Sequence, residues 1–288
     1  MLRKVVITAA GLGTRLLPTT KELPKEMLPI YVEGSNGQPV LKPLLQALYE
    51  QLYLYGFREF CFVVGRGKRA IEDHFTPDWD FVEKLERKGK SSTLLDLTKF
   101  YRMLENSVIV WVSQPNPRGF GDAVRMAHHF VGDENFLLCA GDTYIVSANN
   151  IFLRRLLAAE PRDSRGAALL VQRVDDPRQY GVVVAERWSN ELLRVSRVVE
   201  KPSTPPSNLA IMPFYVFTSY IMKALDKTPP GVGGEVQLTD AVELLIEEQG
   251  EVFAVSLEDD ELRLDIGTPE TYLHALKSSY DYMAGGRP

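Results

Sequence analysis

Three cations, Arg15, Lys21 and Lys25, stand just beyond a glycine turn at Gly11 and Gly13. The turn follows residues 5–10, a short apolar run rich in β-branched residues, as expected of a strand buried on both faces. Glycine lets the backbone turn sharply and approach a ligand with no Cβ in the way. Successive backbone N–H groups in such a turn can form an anion-binding nest. A glycine turn after a buried strand, with cations just beyond it, suits a polyphosphate. Pro18, Pro24 and Pro29 argue against a long regular helix and for a shaped loop. Further along, Asp142 in L-C-A-G-D and Asp265 in L-D-I-G-T each follow an apolar stretch, and Glu200 and Lys201 stand in V-V-E-K-P. Taken singly, the aspartates read as turn or helix-capping residues, and Lys201 as a solvated lysine before a turn.

Two commoner phosphate loops do not fit. The dinucleotide fingerprint G-x-G-x-x-G fails at its third glycine, where Leu16 stands. The next apparent strand ends in Gly65, Arg66, Gly67 and Lys68, with no acid there to hold a ribose. The pattern G-x-x-x-x-G-K-[ST] is absent.

With 288 residues the chain can bury a large core. Hydrophobic residues make up 45% and charged residues 25%, the balance of a soluble globular protein. The net charge of −5 argues against a general nucleic-acid or anionic-membrane surface, which needs a basic face, but leaves room for a local basic pocket. The two cysteines, Cys61 and Cys139, fall in apolar runs and read as buried free thiols in a reducing compartment. No apolar run reaches membrane-spanning length and no secretory signal precedes Val5, so a cytoplasmic protein is expected.

The elements that must position these residues follow from periodicity. Residues 41–55 carry a helical pattern, with Gly56 as a C-cap, and residues 59–65 form the next strand. Strand, helix and strand in this order indicate a right-handed parallel unit. Residues 68–106 are polar and mostly helical in pattern, reading as a solvated face. Residues 108–114 and 135–140 are further strands, the first ending at Gln114 and the second leading to Asp142, with a helical pattern from Gly119 between them. The result is a doubly wound α/β half whose ligands gather at the strands' carboxyl ends. Residues 167–174, 181–185, 193–199 and 209–217 are strands with few helices between them, suggesting mixed or antiparallel additions to the same sheet. Residues 236–249 form an amphipathic helix and 251–257 a strand. Thr268-Pro269-Glu270 starts a last helix, and the tail from Ala284 is short and frayed. One domain is expected over residues 1–288, in two halves, 1–145 and 146–288.

At residues 11–30, G-L-G-T-R-L-L-P-T-T-K-E-L-P-K-E-M-L-P-I, the chain resembles the first box of the sugar-1-phosphate nucleotidyltransferases. The P-K-E-M-L-P form resembles the prokaryotic uridylyltransferase branch of that family, which uses UTP and glucose 1-phosphate. The resemblance extends over nearly the whole chain in five separated segments. It implies a Rossmann-like, doubly wound mixed sheet with β-rich additions around the sugar.

It also implies a reaction. A sugar phosphate oxygen attacks the α-phosphorus of UTP, UDP-glucose forms and pyrophosphate leaves. The nucleophile is already an anion, so the barrier lies in bringing two polyanions together and stabilising the departing charge. The resemblance puts Arg15 and Lys25 on the triphosphate and the leaving pyrophosphate. Ala9, Ala10 and Gly11 then supply backbone contacts to base and ribose, with Gly13, Thr14 and Glu26 nearby, while Gln114 and the Gly119 loop read the base. It gives Glu200 the sugar hydroxyls and Lys201 the sugar phosphate, with Gly181, Asn208 and Ile211 around the sugar. It makes Asp142 and Asp265 the ligands of Mg²⁺, a cation that phosphate sites hold with one or two carboxylates. Homo-oligomers, dimers or tetramers, are common in the family. P-P-G-V-G-G-E-V-Q-L-T-D at 229–240 also resembles the uridylyltransferase form, whereas D-I-G-T-P-E at 265–270 is closer to the thymidylyltransferases. The rival readings are therefore the same chemistry with dTTP, a nucleotide-sugar-binding regulatory protein without turnover, and an NAD-dependent oxidoreductase, the last weakened by Leu16. His74, His128, His129 and His274 fall in helical patterns and are assigned packing or surface roles.

Overall fold

The computed structural model describes residues 2–89 and 94–285. Residues 90–93 of the polar stretch and the end of the C-terminal tail lie outside the described residues. In chain order, β1 (Lys4–Ala9) leads into a loop of three short 3-10 turns, Thr14–Leu16, Thr19–Lys21 and Lys25–Met27. Then come β2 (Pro29–Glu33), β3 (Pro39–Pro43), α1 (Leu44–Tyr55), β4 (Glu59–Gly65), α2 (Arg69–His74), α3 (Trp79–Glu86) and α4 (Leu95–Glu105). β5 (Val108–Gln114), α5 (Phe120–Met126), α6 (His128–Val131), β6 (Phe136–Ala140), β7 (Thr143–Val146) and α7 (Ile151–Ala158) follow. The later part holds β8 (Ala167–Arg173), β9 (Gly181–Arg187), β10 (Leu193–Glu200), β11 (Leu209–Phe217), α8 (Tyr220–Lys227), α9 (Leu238–Glu247), β12 (Val252–Ser256), β13 (Leu262–Asp265) and α10 (Pro269–Met283).

One mixed sheet runs through both halves in the order β5-β4-β1-β6-β11-β8-β12-β10-β9. β5, β4, β1 and β6 are parallel, and β11 joins β6 antiparallel. Parallel pairing demands crossovers that cover both faces, so these strands are apolar on both sides. In β1, Val5, Ile7 and Ala9 face one core with α1 and α7, while Val6 faces the other with α5, α8 and α9. The chain moves outward from β1 to β4 and β5, then returns to place β6 on β1's other side. That reversal opens a crevice at the carboxyl ends of β1 and β6.

A third, smaller core braces the first loop. Leu16, Leu28 and Ile30 pack with Leu44, Val146, Leu264, Ile266 and Ala275. These residues come from the loop, α1, the β7–β13 pair and α10, so the loop's shape depends on chain from both ends of the sequence.

Two expectations need correction. The helix expected at 41–55 begins only at Leu44, because residues 39–43 pair as β3 with β2. Proline at both ends suits such an outlying two-stranded ribbon. The helix expected from 236 begins at Leu238. Val236 is held extended, donating to the Arg118 carbonyl and accepting from Gly121 N–H.

Ile30 is fully buried in the small core. Ile30→Ala should cost about 2–5 kcal/mol of stability through lost transfer energy and a residual cavity. The check is urea unfolding, where the midpoint should fall with the slope unchanged.

Candidate active site

A cleft of about 460 Å³ opens at the switch point. Ala10, Gly11, Gly13, Thr14, Arg15, Lys25 and Glu26 line it from the first loop, Gln114 and Gly119 from beyond β5, and Asp142 from beyond β6. Ala9 is the last residue of β1 and is buried beneath this wall. Gly13 takes φ +66°, a left-handed conformation that favours glycine, and Thr20 Oγ1 pins the turn by donating to the Gly13 carbonyl at 2.7 Å. Gly119 takes φ +113°, and a Cβ there would stand 2.7 Å from the Val236 carbonyl oxygen. Glycine therefore lets the 229–240 segment close on the Gln114–Gly119 end of the cleft, and Glu235 joins its lining.

Charge dominates the floor. Lys25 Nζ donates to Asp142 Oδ2, which ties the first loop to the carboxyl end of β6. Burial alone would lower the Lys25 pKa, but attraction to Asp142 and their hydrogen bond outweigh it and hold the ammonium above its usual value. Burial would likewise raise Asp142, and Lys25 instead holds it below the usual carboxylate range. Asp265 has the opposite balance: burial and the nearby Asp142 charge push its carboxyl up, against smaller help from Arg263, Lys25 and Arg15. It ends β13, which pairs with β7 so that Asp265 stands opposite Thr143. A Cβ on Gly267 would lie 2.8 Å from Asp265 Oδ2 and 3.6 Å from Arg15 Nη2, which places both groups at the same rim. Among the described residues, no cluster of three His, Cys, Asp or Glu side chains could hold a metal. Two facing carboxylates, one with no hydrogen-bond donor among those residues, suit a hard divalent cation that completes its shell with water and phosphate oxygens.

Glu26 is almost wholly buried, and Lys68 Nζ donates to its Oε2 at 2.7 Å. Burial raises the Glu26 pKa, with Lys68 and then Lys25 opposing. Lys68 is thus a correction: expected on a solvated face, it is 8% exposed and anchors the acid next to Lys25. Its signal was the turn G-R-G-K at a strand's carboxyl end. Gln114 is also buried. Its Nε2 donates to Asp122 Oδ2 at 2.8 Å and the Gly119 carbonyl at 3.3 Å, which leaves Oε1 as the acceptor for a ligand. Asp122 is itself buried and paired with Arg125 at 2.9 Å.

The second group gathers on the later strands. Glu200 Oε2 accepts from Thr239 Oγ1 at 2.6 Å. A Cβ on Gly181 would meet that hydroxyl, Ile211 Cδ1 and Glu200 Oε2 within 3.3 Å. Gly181, Glu200 and Ile211 therefore share one surface, and Thr239 is a member that sequence reasoning left within a turn motif. Lys201 stands 3.2 Å from Glu200 Oε1 at an uncommon φ of +41° for a non-glycine residue. Its N–H donates to the Tyr180 carbonyl, which fixes that turn. Asn208 lies apart in its bonding: exposed, it accepts from Arg173 Nη1 at 2.9 Å.

The four histidines and both cysteines stand outside these groups. His74 Nε2 bonds Gln46, and burial lowers its pKa. Burial raises the Cys61 thiol to about 12 and the Cys139 thiol well above its usual value, which leaves both as inert packing.

The raised carboxyl of Asp265 has a testable sign. An acid whose folded-state pKa lies above its unfolded value costs stability once ionised, and the cost fades as pH falls through the folded value. In chelator-treated protein, Asp265→Asn should therefore melt higher than wild type at pH 7, with the gap narrowing towards pH 4.5. Equal or lower melting at pH 7 would show that the fold does not strain this carboxylate.

Residues 4–281 match the nucleotidyl transferase family model. The chain is 40% identical over 270 residues to the UTP–glucose-1-phosphate uridylyltransferase of Bacillus subtilis, covering 92% of this chain and 87% of that one. It is 39% identical over 289 residues to the UTP–glucose-1-phosphate uridylyltransferase 1 of Staphylococcus saprophyticus, covering 97% and 94%. A crystal structure of UDP-glucose pyrophosphorylase complexed with UDP-glucose superposes with a TM-score of 0.82 at 27% identity, over 98% of this chain and all of that one. A glycine-walled cleft at a strand switch point, with Lys25 and Asp142 in its lining, agrees with this likeness along almost the whole length: the chain belongs to the nucleotidyl transferase family.

Proposed function

We propose that this protein makes UDP-glucose and pyrophosphate from UTP and glucose 1-phosphate. The observation that supports the reading is the Lys25–Asp142 pair in a glycine-walled cleft of about 460 Å³, close enough to Asp265 for their charges to act on its carboxyl. In this reading the sugar phosphate, held at the Glu200–Lys201 surface, meets the triphosphate over that pair.

In this reading the backbone of residues 9–11 meets base and ribose, and Gln114 Oε1 accepts the N3–H of uracil. Arg15 and Lys25 bind the β- and γ-phosphates. Thr239 orients Glu200 for the sugar hydroxyls, and Lys201 holds the sugar phosphate. An oxygen of that phosphate attacks the α-phosphorus in line with the departing pyrophosphate. The new P–O bond forms as the bond to the β-phosphate oxygen breaks, and no proton need move. Lys25 leaves Asp142 to follow the charge, so the cation that holds the empty site together becomes the clamp on the leaving group. Asp142 and Asp265 would hold Mg²⁺, which when bound supplies positive charge to the phosphates that two lysines and an arginine cannot fully neutralise. A cytoplasmic homo-oligomer belongs to the same reading.

D-I-G-T-P-E, the segment closest to the thymidylyltransferases, has a structural cause here. Thr268 Oγ1 accepts from the Thr271 N–H in a capping box, and Pro269 fills the first turn of α10. Thr268 to Glu270 thus have a role as a helix start that requires no particular base. A regulatory protein without turnover would have no use for two mutually repelling carboxylates beside a phosphate loop.

The deciding assay measures pyrophosphate release with Mg²⁺, glucose 1-phosphate and either UTP or dTTP. UTP should be clearly preferred. Equal or faster turnover of dTTP would transfer the reading to the thymidylyl reaction, and no release with either would leave the regulatory one. Lys25→Met and Lys201→Ala should each lower the rate by about 10²–10³, the loss seen when a preorganised charge stabiliser is removed. Unchanged kcat/KM for the sugar phosphate in Lys201→Ala would remove Lys201 from its role.

A further inference from the structure

β13 carries a cation that none of the roles above uses. Leu262 and Leu264 pack into the small core, so the alternation of the strand puts Arg263 and Asp265 on the other face. Asp265 reaches the cleft floor, and Arg263 lies one strand repeat away towards the sugar side. Its guanidinium lies over the Tyr180 ring, 5.3 Å from the centroid, and Nη2 donates to Tyr180 Oη at 3.2 Å. Tyr180 directly precedes Gly181, and its carbonyl accepts the N–H of Lys201. Arg263 therefore touches the same turn that sets the sugar surface, and its charge reaches Asp265.

The bonding of Arg263 is incomplete. A guanidinium has five N–H donors, and here one hydrogen bond, to a phenol oxygen, is made among the described residues. No carboxylate among those residues lies within ion-pair distance, and none of its nitrogens is sealed from solvent without a partner. A half-buried arginine held by stacking, with most of its donors unused and its charge within reach of Asp265, is preorganised for a phosphate.

We propose that Arg263 binds the phosphate of the sugar phosphate, sharing it with Lys201 and guiding it towards the α-phosphorus. This inference rests on the proposed reaction, in which that phosphate lies between Lys201 and the two aspartates. The Tyr180 ring fixes the plane of the fork, and Lys201 supplies a point charge from the other side. Two cations on one phosphate would hold the attacking oxygen in one orientation.

The test is steady-state kinetics of Arg263→Gln and Arg263→Lys, varying each substrate at saturation of the other. Arg263→Gln should raise KM for glucose 1-phosphate by about tenfold or more, as expected for a lost hydrogen bond to a charged group, with KM for UTP within about twofold. Arg263→Lys should fall between, because it keeps the charge and loses the fork. Added guanidinium ion should restore part of the rate of Arg263→Ala, which a packing role would not allow. An unchanged KM for the sugar phosphate, or equal losses on both substrates, would overturn the proposal. If Arg263→Gln does not fold, Tyr180→Phe and Arg263→Lys decide, each expected to raise the same KM and each refuting the proposal if neither does. If the wild-type protein shows no turnover, the reaction itself fails, and calorimetric titration with glucose 1-phosphate judges Arg263 separately. Weaker binding by the variants keeps the assignment, and equal binding removes it.

Discussion

A site for two polyanions must hold a surplus of cations without tearing the empty protein apart. The Lys25–Asp142 pair meets that constraint. It joins the first loop to the residue just beyond β6, and each partner offsets the desolvation of the other. Breaking a buried pair by deleting one partner is far costlier than the pair's net contribution, because the remaining charge has no counterion. In the proposed reaction, substrate phosphates would avoid that cost by offering Lys25 a new partner. Glu26 and Lys68 repeat the device one residue along.

Much of the architecture serves this arrangement. The parallel strands deliver chain ends to one edge of the sheet, and the reversal at β1 separates them enough to admit a nucleotide. The small core beneath the first loop ties its shape to β13 and α10, so Asp265 arrives beside Asp142 from the far end of the chain. β11, shared between β6 and β8, carries the sheet from the parallel strands of the first half to the later strands in one continuous sheet. Rigid support of this kind lets charges remain close while unsatisfied.

The two carboxylates are supported unequally. Asp142 is stabilised by a neighbour and Asp265 is strained by one. In the proposed reaction a cation bound between them would relieve the second.

Sequence alone determined the strand-and-loop logic of the first half, because β-branched runs, glycines and prolines act locally. Residues 59–65 and 108–114 form strands with the expected bounds, and the glycine turn at Gly11 and Gly13 lies on the cleft. Sequence also put Lys25 just beyond the glycine turn, whereas Asp142 and Glu200 gained their expected roles only through the family resemblance. Only the tertiary structure decided their partners. Lys68 looked solvated because a turn-rich, charged segment gives no sign that an acid over 40 positions earlier will be buried against it. Thr239 and Arg263 were likewise hidden, one inside a helix start and the other in a four-residue strand, since hydroxyls and guanidiniums acquire roles through what they face. Local propensity acts between neighbours in the chain, whereas burial, ion pairing and pKa shifts act between neighbours in space, and the fold alone brings those together.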